Sequence, residues 1–400
     1  MRRAEAPLRV AILGSTGSIG KSTLEVVRRH PDRFHVAGLS AHRSLPELAG
    51  QVAEFRPRRA VIADATALDG AAGLPPSVWE AGRDALLSLA RDPDVDVVVN
   101  ALVGAAGLEP TLAALGAGKR LALANKESLV AGGPLVREAA ARGGGRLVPI
   151  DSEHSAILQC LAGAEPGSIA RIVLTASGGP FRGWNPGALE GVRPSDALRH
   201  PTWAMGAKIT VDSATLANKA LEVIEAHFLY GIPYSAIEVV VHPQSVVHSF
   251  VEFVDGSVLA QMGFPTMELP ILYALSHPSR VDDVRLRTFD PVRTSPLTFE
   301  AVDHRLFPLF ELGVDAGRAG GTAPAVFNAA NEVAVEAFLC ERLGFAAMTG
   351  VVEAALTAHR VRAVGEVGDV IEADREARAA ARRAVERAGP GSRKRTGAGA

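Results

Sequence analysis

Short apolar runs alternate with amphipathic stretches over the first third of the chain. Residues 8–150 contain six runs rich in Val, Ile, Leu and Ala, separated by segments of helical spacing such as KSTLEVVRRH. The runs are RVAIL, HVAGLSA, AVIA, VDVVVNAL, RLALAN and RLVPI. Strands that alternate with helices are typical of a parallel, doubly wound sheet, so residues 1–150 are predicted to form an α/β, Rossmann-like domain.

The pattern changes after residue 150. Four runs, ARIVLTAS, AIEVVVHP, VVHSFVEFV and SVLAQM, are typical of strands, and Asp255-Gly256 predicts a hairpin turn between the last two. The stretch SATLANKALEVIEAHFLYG predicts one helix. Residues 151–290 are therefore predicted to be a central α+β domain. Residues 178–206, rich in Gly, Pro and Trp, are predicted to be a flexible loop that closes over a ligand, here called the lid segment.

Helical spacing dominates the rest of the chain. Beyond residue 290 no further strand is evident, and FNAANEVAVEAFLCERL and AAMTGVVEAALTAHRV are amphipathic. Residues 291–385 are predicted to form a small helical bundle. Residues 386–400, which end in GSRKRTGAGA, are predicted to be a disordered tail.

Composition and charge narrow the function classes. The 400 residues are 48% hydrophobic and 22% charged, as in ordinary globular enzymes. A net charge of −2 gives no general attraction to nucleic acid or anionic membranes, and neither partner is expected. The apolar run near the start is too short for a leader or a membrane span, which favours the cytoplasm. Cys160 and Cys340 stand far apart in sequence, so neither a zinc cluster nor a disulfide framework is expected.

A glycine-rich loop follows the first strand. The sequence from Gly14 to Gly20, GSTGSIG, leads directly into a helix. Its glycines allow close approach to a pyrophosphate, and the helix N-terminus supplies free N–H donors, so a dinucleotide site is predicted. A Walker A loop would need glycine where Ser15 stands, and a plain turn would not need three glycines.

The end of the second strand indicates which dinucleotide binds. NAD sites place an acid there to hold the ribose 2′-hydroxyl, whereas this strand ends in His42-Arg43-Ser44. A cation at this position favours the 2′-phosphate of NADPH. A solvated arginine in a loop is the alternative.

Two acidic patterns are compatible with a divalent cation. Asp151 and Glu153 follow the strand RLVPI, and Asn218 and Glu222 share one helix face beside Lys219. These groups suit Mg²⁺ or Mn²⁺ that holds a polyhydroxy phosphate. From spacing alone, a solvated acidic surface remains an alternative.

Three further residues are candidates for ligand contact. Ser177 ends a strand before two glycines and offers donors to phosphate, while His200 and Trp203 lie in the lid segment. A structural histidine and a packing tryptophan are the alternatives.

Taken together, the motifs resemble the 1-deoxy-D-xylulose 5-phosphate reductoisomerase family from about residue 8 to 365. They are GSTGSIG, ALVGAAGLEPTL, LANKESLV, PIDSEHSAI, SGGPF, HPTWAMGAKITVDSATLANKALEVIEA, HPQSVVHS and PAVFNAANEVAVEAF. The resemblance implies rearrangement and NADPH-dependent reduction of 1-deoxy-D-xylulose 5-phosphate to 2-C-methyl-D-erythritol 4-phosphate, in the non-mevalonate pathway to isoprenoid precursors. It further implies Mg²⁺ or Mn²⁺, with Co²⁺ as another candidate, and a homodimer formed through the central domain.

The resemblance also implies residue roles. The NADPH-binding residues would be Thr16, Gly17, Ser18, Ile19, His42, Arg43, Ser44, Asn125, Glu127 and Gly206. The metal ligands would be Asp151, Glu153 and Glu222. The substrate-binding residues would be Lys126, Ser152, Glu153, Ser177, His200, Trp203, Met205, Ser213, Asn218, Lys219 and Glu222. Of all these, Lys126, Asp151, Glu153, His200 and Glu222 would be catalytic.

Two segments depart from the family pattern. His42-Arg43-Ser44 replaces the frequent Gly-Lys-Asn. Residues 263–268, GFPTME, replace G-x-P-D-M followed by a basic residue, which points to altered loop packing or dimer contact.

Three other function classes remain as alternatives. They are an ordinary Rossmann dehydrogenase, a metal-dependent aldolase or isomerase without a redox step, and a non-catalytic sugar-phosphate sensor. Whether the skeleton rearranges by a retro-aldol/aldol route or an α-ketol shift stays open, as does the role of Lys126 in proton transfer.

Overall fold

The computed structural model describes residues 6–68, 78–165, 167–203 and 205–389. Contacts divide the chain into two units, each built from several segments. The first comprises Met1–Ser128, Pro134–Gln159 and Thr266–Thr288, and the second Leu129–Gly133, Cys160–Pro265 and Phe289–Ala400. The predicted boundary at residue 150 thus falls inside the first unit, and the division into three domains stays a prediction.

The first unit is built on a parallel sheet. Its strands are β1 (Leu8–Leu13), β2 (Phe34–Ala41), β3 (Arg59–Ile62), β4 (Trp79–Ala81), β5 (Val97–Asn100), β6 (Arg120–Leu123) and β7 (Arg146–Pro149). Its helices are α1 (Ser18–Arg29), α2 (Leu45–Phe55), α3 (Arg83–Arg91), α4 (Leu108–Gly116), α5 (Lys126–Gly143) and α6 (Ser152–Cys160), together with α10 (Glu268–Ser276), which follows much later in the chain.

The strand order confirms the doubly wound prediction. The sheet runs β4-β3-β2-β1-β5-β6-β7 with every pair parallel. The strand order reverses between β1 and β5, and ligands of such sheets bind at this point, beyond the carboxyl ends of the strands. The core on the sheet includes Val10, Ile12, Val97 and Val99, all fully buried. Continuous apolar strands of this kind are expected where helices cover both faces.

The acid at position 268, where the family pattern has a basic residue, has a structural role in this unit. Glu268, at the first position of α10, forms an ion pair with Arg29 of α1 at 2.7 Å. Arg29 also pairs with Asp283 at 2.9 Å. An acid at position 268 therefore helps to attach α10 to α1.

The second unit contains a mixed sheet. Its strands are β8 (Ile169–Ala176), β9 (Ile237–Val241), β10 (Val247–Phe253), β11 (Val258–Met262) and β12 (Glu300–Ala301), in the order β11-β10-β8-β9-β12. β8 and β9 are parallel, and the other pairs are antiparallel. Asp255 accepts the N–H of Ser257 at 2.9 Å, so the hairpin predicted between β10 and β11 is confirmed.

Helices make up most of the remaining second unit. They are α7 (Pro194–Ala197), α8 (Ala207–Thr215), α9 (Ala217–Tyr230), α11 (Pro291–Thr294), α12 (Pro308–Ala319), α13 (Ala323–Leu339), α14 (Met348–Ala358) and α15 (Val367–Ala388). α13 packs against α14 and α15, and α12 packs against α9. Within the lid segment, only the short helices 186–191 and 194–197 are regular among the residues that the structure describes.

Four local expectations need correction or qualification. The single helix predicted over 213–231 is two helices, because Leu216 adopts a left-handed conformation (φ +56°) that ends α8 before α9 begins. A strand does exist after residue 290, since β12 pairs with β9. β4 was not predicted, because a strand of only three residues carries little periodicity. α15 extends to Ala388, past the predicted start of the tail, and residues 390–400 lie outside the described residues.

Candidate active site

The glycine loop has the geometry of an anion site at a helix N-terminus. β1 ends at Leu13, Gly14 turns the chain with φ +85°, and α1 begins at Ser18 with Gly17 as its N-cap. No side chain caps this helix, and its first turn contains no acid. The first N–H groups of a helix have no intrahelical partner and attract anions. A Cβ on Gly20 would lie 2.4 Å from Gly14 O, so only glycine permits this tight packing.

The chain after β2 presents one exposed cation. Arg43 precedes α2, its side chain is 71% exposed, and its Nε donates to Asp64 Oδ2. Thr66 donates to the same carboxylate, and hydrogen bonds from Thr66 and Arg43 lower the pKa of Asp64 to about 2. Asp64, which follows β3, was missed by the sequence analysis. Its signal is an acid at the carboxyl end of the strand beside β2.

Asn125 attaches the start of α5 to the loop after β5. Its Oδ1 accepts the N–H of Ser128 at 3.0 Å, and its Nδ2 lies 3.0 Å from both Leu102 O and Gly104 O and 2.8 Å from a Glu127 carboxylate oxygen. Asn125 and Glu127 are 1% and 8% exposed. Asn125 thus caps a helix and holds a neighbouring loop at the carboxyl end of the sheet.

Lys126 and Asp151 form an ion pair in the first unit. Their side chains are 9% and 15% exposed, and the lysine Nζ donates to Asp151 Oδ2. The other carboxylate oxygen, Oδ1, accepts the N–H of Glu153 at 3.2 Å at the start of α6. Ser152 Oγ donates to the Glu153 carboxylate. Because β6 and β7 are adjacent and parallel, residues that follow them meet at one sheet edge.

A second ion pair lies in the second unit, on α9. Lys219 Nζ donates to Glu222 Oε2, and the two side chains are 4% and 1% exposed. Asn218 Nδ2 donates to Glu222 Oε1 at 2.6 Å. Asn218 Oδ1 is buried and has no hydrogen-bond partner among the described residues. A buried acceptor in this state suits a donor supplied by a ligand or a water.

Ser177, His200 and Ser213 meet in the second unit. His200 Nε2 lies 3.1 Å from Ser177 Oγ and 3.0 Å from Ser213 Oγ. Ser177 follows β8, His200 belongs to the lid segment and Ser213 lies on α8. The fold thus brings together three predicted substrate residues that are far apart in the chain.

The tautomer of His200 follows from its hydrogen bonds. Its Nδ1 accepts the N–H groups of Thr202 at 3.1 Å and Trp203 at 2.9 Å, so this nitrogen carries no proton. Nε2 therefore carries the hydrogen of the neutral ring and points it at the two serines. Burial lowers the pKa of His200, which favours the neutral form.

The remaining predicted residues of the lid segment are half-buried or exposed. The Trp203 ring lies 6.4 Å from the His248 ring. Met205 is half-buried, and Gly206 is exposed and caps α8. The structure therefore places Gly206 at a helix N-terminus.

A buried polar contact behind Ser213 was missed by the sequence analysis. Asp212 is 1% exposed, pairs with Lys208 at 2.6 Å and accepts from Asn331 Nδ2 at 2.8 Å. The Asn331 bond connects α13 to the helix that carries Ser213. The asparagine in NAANE and the aspartate in VDSAT were the available signals, but only the fold pairs them.

Family models match most of the chain. The model described as 1-deoxy-D-xylulose 5-phosphate reductoisomerase matches residues 10–133, that of its C-terminal domain matches residues 147–230, and a further DXP reductoisomerase C-terminal domain matches residues 262–380.

Similar proteins carry the same name. The chain is 51% identical to the 1-deoxy-D-xylulose 5-phosphate reductoisomerase of Gloeobacter violaceus, over 94% of this chain and 97% of that protein. It is 52% identical to that of Mycobacterium marinum, over 97% and 95%.

Solved structures show the same fold. The reductoisomerase from Zymomonas mobilis in complex with NADPH is 42% identical, with a TM-score of 0.87 over 95% of this chain and 99% of that one. A DOX-P reductoisomerase in complex with NADPH, fosmidomycin and magnesium is 39% identical, with a TM-score of 0.88 over 95% and 98%. From its sequence and its fold alike, this chain belongs to the 1-deoxy-D-xylulose 5-phosphate reductoisomerase family.

Proposed function

We propose that this chain is an NADPH- and divalent-metal-dependent oxidoreductase that converts 1-deoxy-D-xylulose 5-phosphate to 2-C-methyl-D-erythritol 4-phosphate in isoprenoid precursor biosynthesis. The proposal rests on the joint occurrence of three features in a chain of this family. They are a glycine loop followed by a helix without a side-chain cap, two lysine–carboxylate pairs, and a serine–histidine–serine cluster. An ordinary dehydrogenase needs the first feature but not the others.

The residues of the first unit fit NADPH. Thr16, Gly17, Ser18 and Ile19 would receive the pyrophosphate, because α1 begins there without a side-chain cap. Arg43, between His42 and Ser44, would bind the 2′-phosphate with the guanidinium nitrogens not used for Asp64. The predicted contributions of Asn125, Glu127 and Gly206 rest on the resemblance. When bound, NADPH supplies the hydride that reduces the rearranged aldehyde.

The carboxylates fit Mg²⁺ or Mn²⁺, with Co²⁺ as a further candidate. Asp151, Glu153 and Glu222 would be the ligands, as the family resemblance implies. Asp151 and Glu222 each have a lysine beside them, and such a cation offsets carboxylate charge before a metal binds. Hard oxygen donors of this kind suit these ions. When bound, the ion acts as a Lewis acid on the substrate oxygens.

The other site residues would hold the sugar phosphate. Ser177, Ser213, Asn218 and Lys219 would grip mainly the phosphate end, with hydroxyl, amide and ammonium donors. Neutral His200 connects the two serines and orients both hydroxyls.

Two further pairs of residues would act at the reacting carbons and in the closure of the lid segment. Ser152 and Lys126 would contact the reacting end of the substrate. Lys126 is a candidate for proton transfer there, and its ammonium group donates a hydrogen bond to Asp151. Trp203 and Met205 would close over the ligand and exclude water, which strengthens every electrostatic contact inside the site.

Assembly and location complete the proposal. We expect a homodimer, because β11 is an edge strand that exposes Val258 and Leu259, 52% and 49% respectively, beside Val254 at 69%. The unpaired N–H and C=O groups of an edge strand are available for pairing with another chain. No helix among the described residues is long and apolar enough to cross a membrane. Cys160 and Cys340 are free thiols, which is compatible with the proposed cytoplasmic location.

Product analysis tests the proposed reaction. Purified protein, 1-deoxy-D-xylulose 5-phosphate, NADPH and Mg²⁺ are combined, and the products are identified by ¹³C and ³¹P NMR. We expect 2-C-methyl-D-erythritol 4-phosphate in equal amount to the NADPH oxidised. A reduced but unbranched product would indicate a dehydrogenase, and a rearranged or cleaved product without NADPH oxidation would indicate an isomerase or aldolase.

A further inference from the structure

Gln51 contacts one residue of the glycine loop at two points. Its Oε1 accepts the hydroxyl hydrogen of Ser15 at 2.6 Å, and its Nε2 donates to the main-chain oxygen of Ser15 at 3.0 Å. Ser15 is fully buried. The N–H groups of Gly14 and Ser15 are fixed as well, because both donate to Ser40 O of β2, at 3.1 Å and 2.8 Å. The start of the loop is therefore held from two sides within the first unit.

The contact at Ser15 O sets the direction of the next N–H group. In a planar trans peptide, the carbonyl and the following N–H point in opposite directions. Since the Ser15 carbonyl points at Gln51, the N–H of Thr16 points away from Gln51. Thr16 is the first residue of the stretch that would receive the pyrophosphate. Gln51 therefore orients the first donor of that stretch without belonging to it.

Gln51 also lies on the helix that follows the segment proposed for the 2′-phosphate. α2 begins at Leu45, directly after His42-Arg43-Ser44, and reaches Gln51 within two turns. An α-helix is a stiff connection over this length, with a rise of about 1.5 Å per residue. A displacement of the segment that carries Arg43 would therefore move the start of the helix that carries Gln51.

We propose that Gln51 is a positioning residue for NADPH. It holds the Ser15–Thr16 peptide in the orientation that accepts the pyrophosphate, and through α2 it couples this loop to the segment at Arg43. The identity of the cofactor rests on the proposed function; the double contact with Ser15 does not. A consequence is that the effects of changes at Gln51 and Arg43 on NADPH affinity are not additive.

Substitutions that separate the two contacts test this role. Gln51→Met removes both hydrogen bonds at similar volume, and Gln51→Glu keeps an acceptor for Ser15 Oγ but places an oxygen against Ser15 O. The dissociation constant of NADPH is measured by fluorescence titration, and kcat and both KM values by NADPH oxidation. We expect Gln51→Met to raise the Kd and KM for NADPH about tenfold, or about 1.4 kcal/mol. Gln51→Glu should raise them at least as much.

Two further readouts distinguish positioning from a general loss of structure. For both Gln51 variants, kcat at saturating NADPH and the KM for the sugar phosphate should change less than about twofold, because only the cofactor loop is affected. Glu54→Gln is the matched control on the same helix, since Glu54 pairs with Arg28 on the surface at 2.6 Å, and it should behave as wild type. Ser15→Ala keeps the contact between Gln51 and the Ser15 carbonyl, so it should lose less NADPH affinity than Gln51→Met. If Gln51→Met fails to fold, Ser15→Ala and Gln51→Glu provide the test.

The outcomes separate this inference from the proposed function. Wild-type NADPH affinity in folded Gln51→Met, or in Gln51→Glu and Ser15→Ala together, overturns the inference. Strictly additive losses in the Arg43→Gln, Gln51→Met and double variants overturn the coupling through α2. If wild type binds NADPH and the variants weaken it as expected, but the sugar phosphate is not converted, the proposed function is wrong and the role of Gln51 stands. If wild type does not bind NADPH, both are wrong.

Discussion

Lys219 and Glu222 form an ion pair one turn apart on α9, and both side chains are almost fully buried. Removal of one partner from such a pair leaves an uncompensated buried charge, which typically costs on the order of 3–5 kcal/mol. Replacement of the whole pair by apolar residues is often neutral or stabilising. The presence of a buried ion pair is therefore not explained by a gain in the stability of the fold. It agrees with the proposed function, in which Glu222 would bind a metal ion and Lys219 a phosphate.

Glu222→Gln should abolish turnover and leave NADPH binding intact. The amide keeps the volume of the side chain but loses the charge that would ligate the metal, so the loss should exceed the roughly 10–100-fold that removal of an outer-shell partner costs. Turnover is measured against Mg²⁺ concentration. Mg²⁺ should also raise the unfolding temperature of wild type more than that of the variant, because it binds the folded state.

Glu238→Gln is the matched control for that experiment. Glu238 lies on β9, half exposed, and pairs with Arg171 at 2.8 Å. It should have wild-type turnover. Near-normal activity of Glu222→Gln at low Mg²⁺ would exclude Glu222 as a ligand.

Gly20→Ala and Gly50→Ala should differ sharply although both glycines are helical. A Cβ on Gly20 would meet Gly14 O at 2.4 Å and Ser15 Cα at 2.5 Å, so the loop backbone must move. On Gly50 a Cβ meets nothing within 4 Å. We expect Gly20→Ala to weaken NADPH binding by at least about tenfold, and Gly50→Ala to stabilise the fold by about 0.5–1 kcal/mol without a change in affinity. Equal NADPH affinities in titrations of the two variants would show that the loop does not bind the cofactor.

Arg43→Glu should raise the KM for NADPH much more than the KM for NADH. Its guanidinium is exposed and held at Nε by Asp64, which leaves the terminal nitrogens for a phosphate. Reversal of this charge repels the 2′-phosphate of NADPH, a group that NADH lacks. Arg91→Glu, an exposed position in the last turn of α3, is the control and should leave both constants unchanged. A similar rise for both cofactors in Arg43→Glu would rule out 2′-phosphate recognition.

His200 should be a neutral imidazole with its proton on Nε2 at pH 7. Burial lowers its pKa below the usual 6.5, and Nδ1 accepts two main-chain N–H groups. A depressed folded-state pKa means that stability from this group is complete above the unfolded value. It is lost as pH falls from about 6.5 towards the folded pKa, because the unfolded state then binds more protons. Nitrogen-detected NMR of the histidine rings, assigned with His200→Asn, measures both properties. A proton on Nδ1, or a pKa above 6.5, would contradict this arrangement.

The sequence predicted features that depend on neighbouring residues. Asp255-Gly256 specifies its hairpin because turn chemistry acts over four residues. The strand–loop–helix at GSTGSIG follows from glycines and an apolar run within one segment. Ser177, His200 and Ser213 could be predicted as substrate-binding residues from the family resemblance. The tautomer of His200 could not be predicted, because it depends on how the chain turns at Thr202 and Trp203.

Other features require the folded chain. Leu216 ends α8 in a left-handed conformation that leucine rarely adopts, so local preference predicted a continuous helix. Asp64 and Arg43, like Asp212 and Asn331, come from different elements, and one sequence does not show which acid faces which partner.

The most direct test is the absorbance of NADPH during incubation of the purified protein with 1-deoxy-D-xylulose 5-phosphate and Mg²⁺ or Mn²⁺, with and without EDTA. The proposed function predicts that absorbance falls only when the sugar phosphate is present, that EDTA stops the fall, and that excess Mg²⁺ restores it. Oxidation that continues at the same rate in EDTA would contradict the metal site. No oxidation by folded protein that binds NADPH would contradict the proposed substrate.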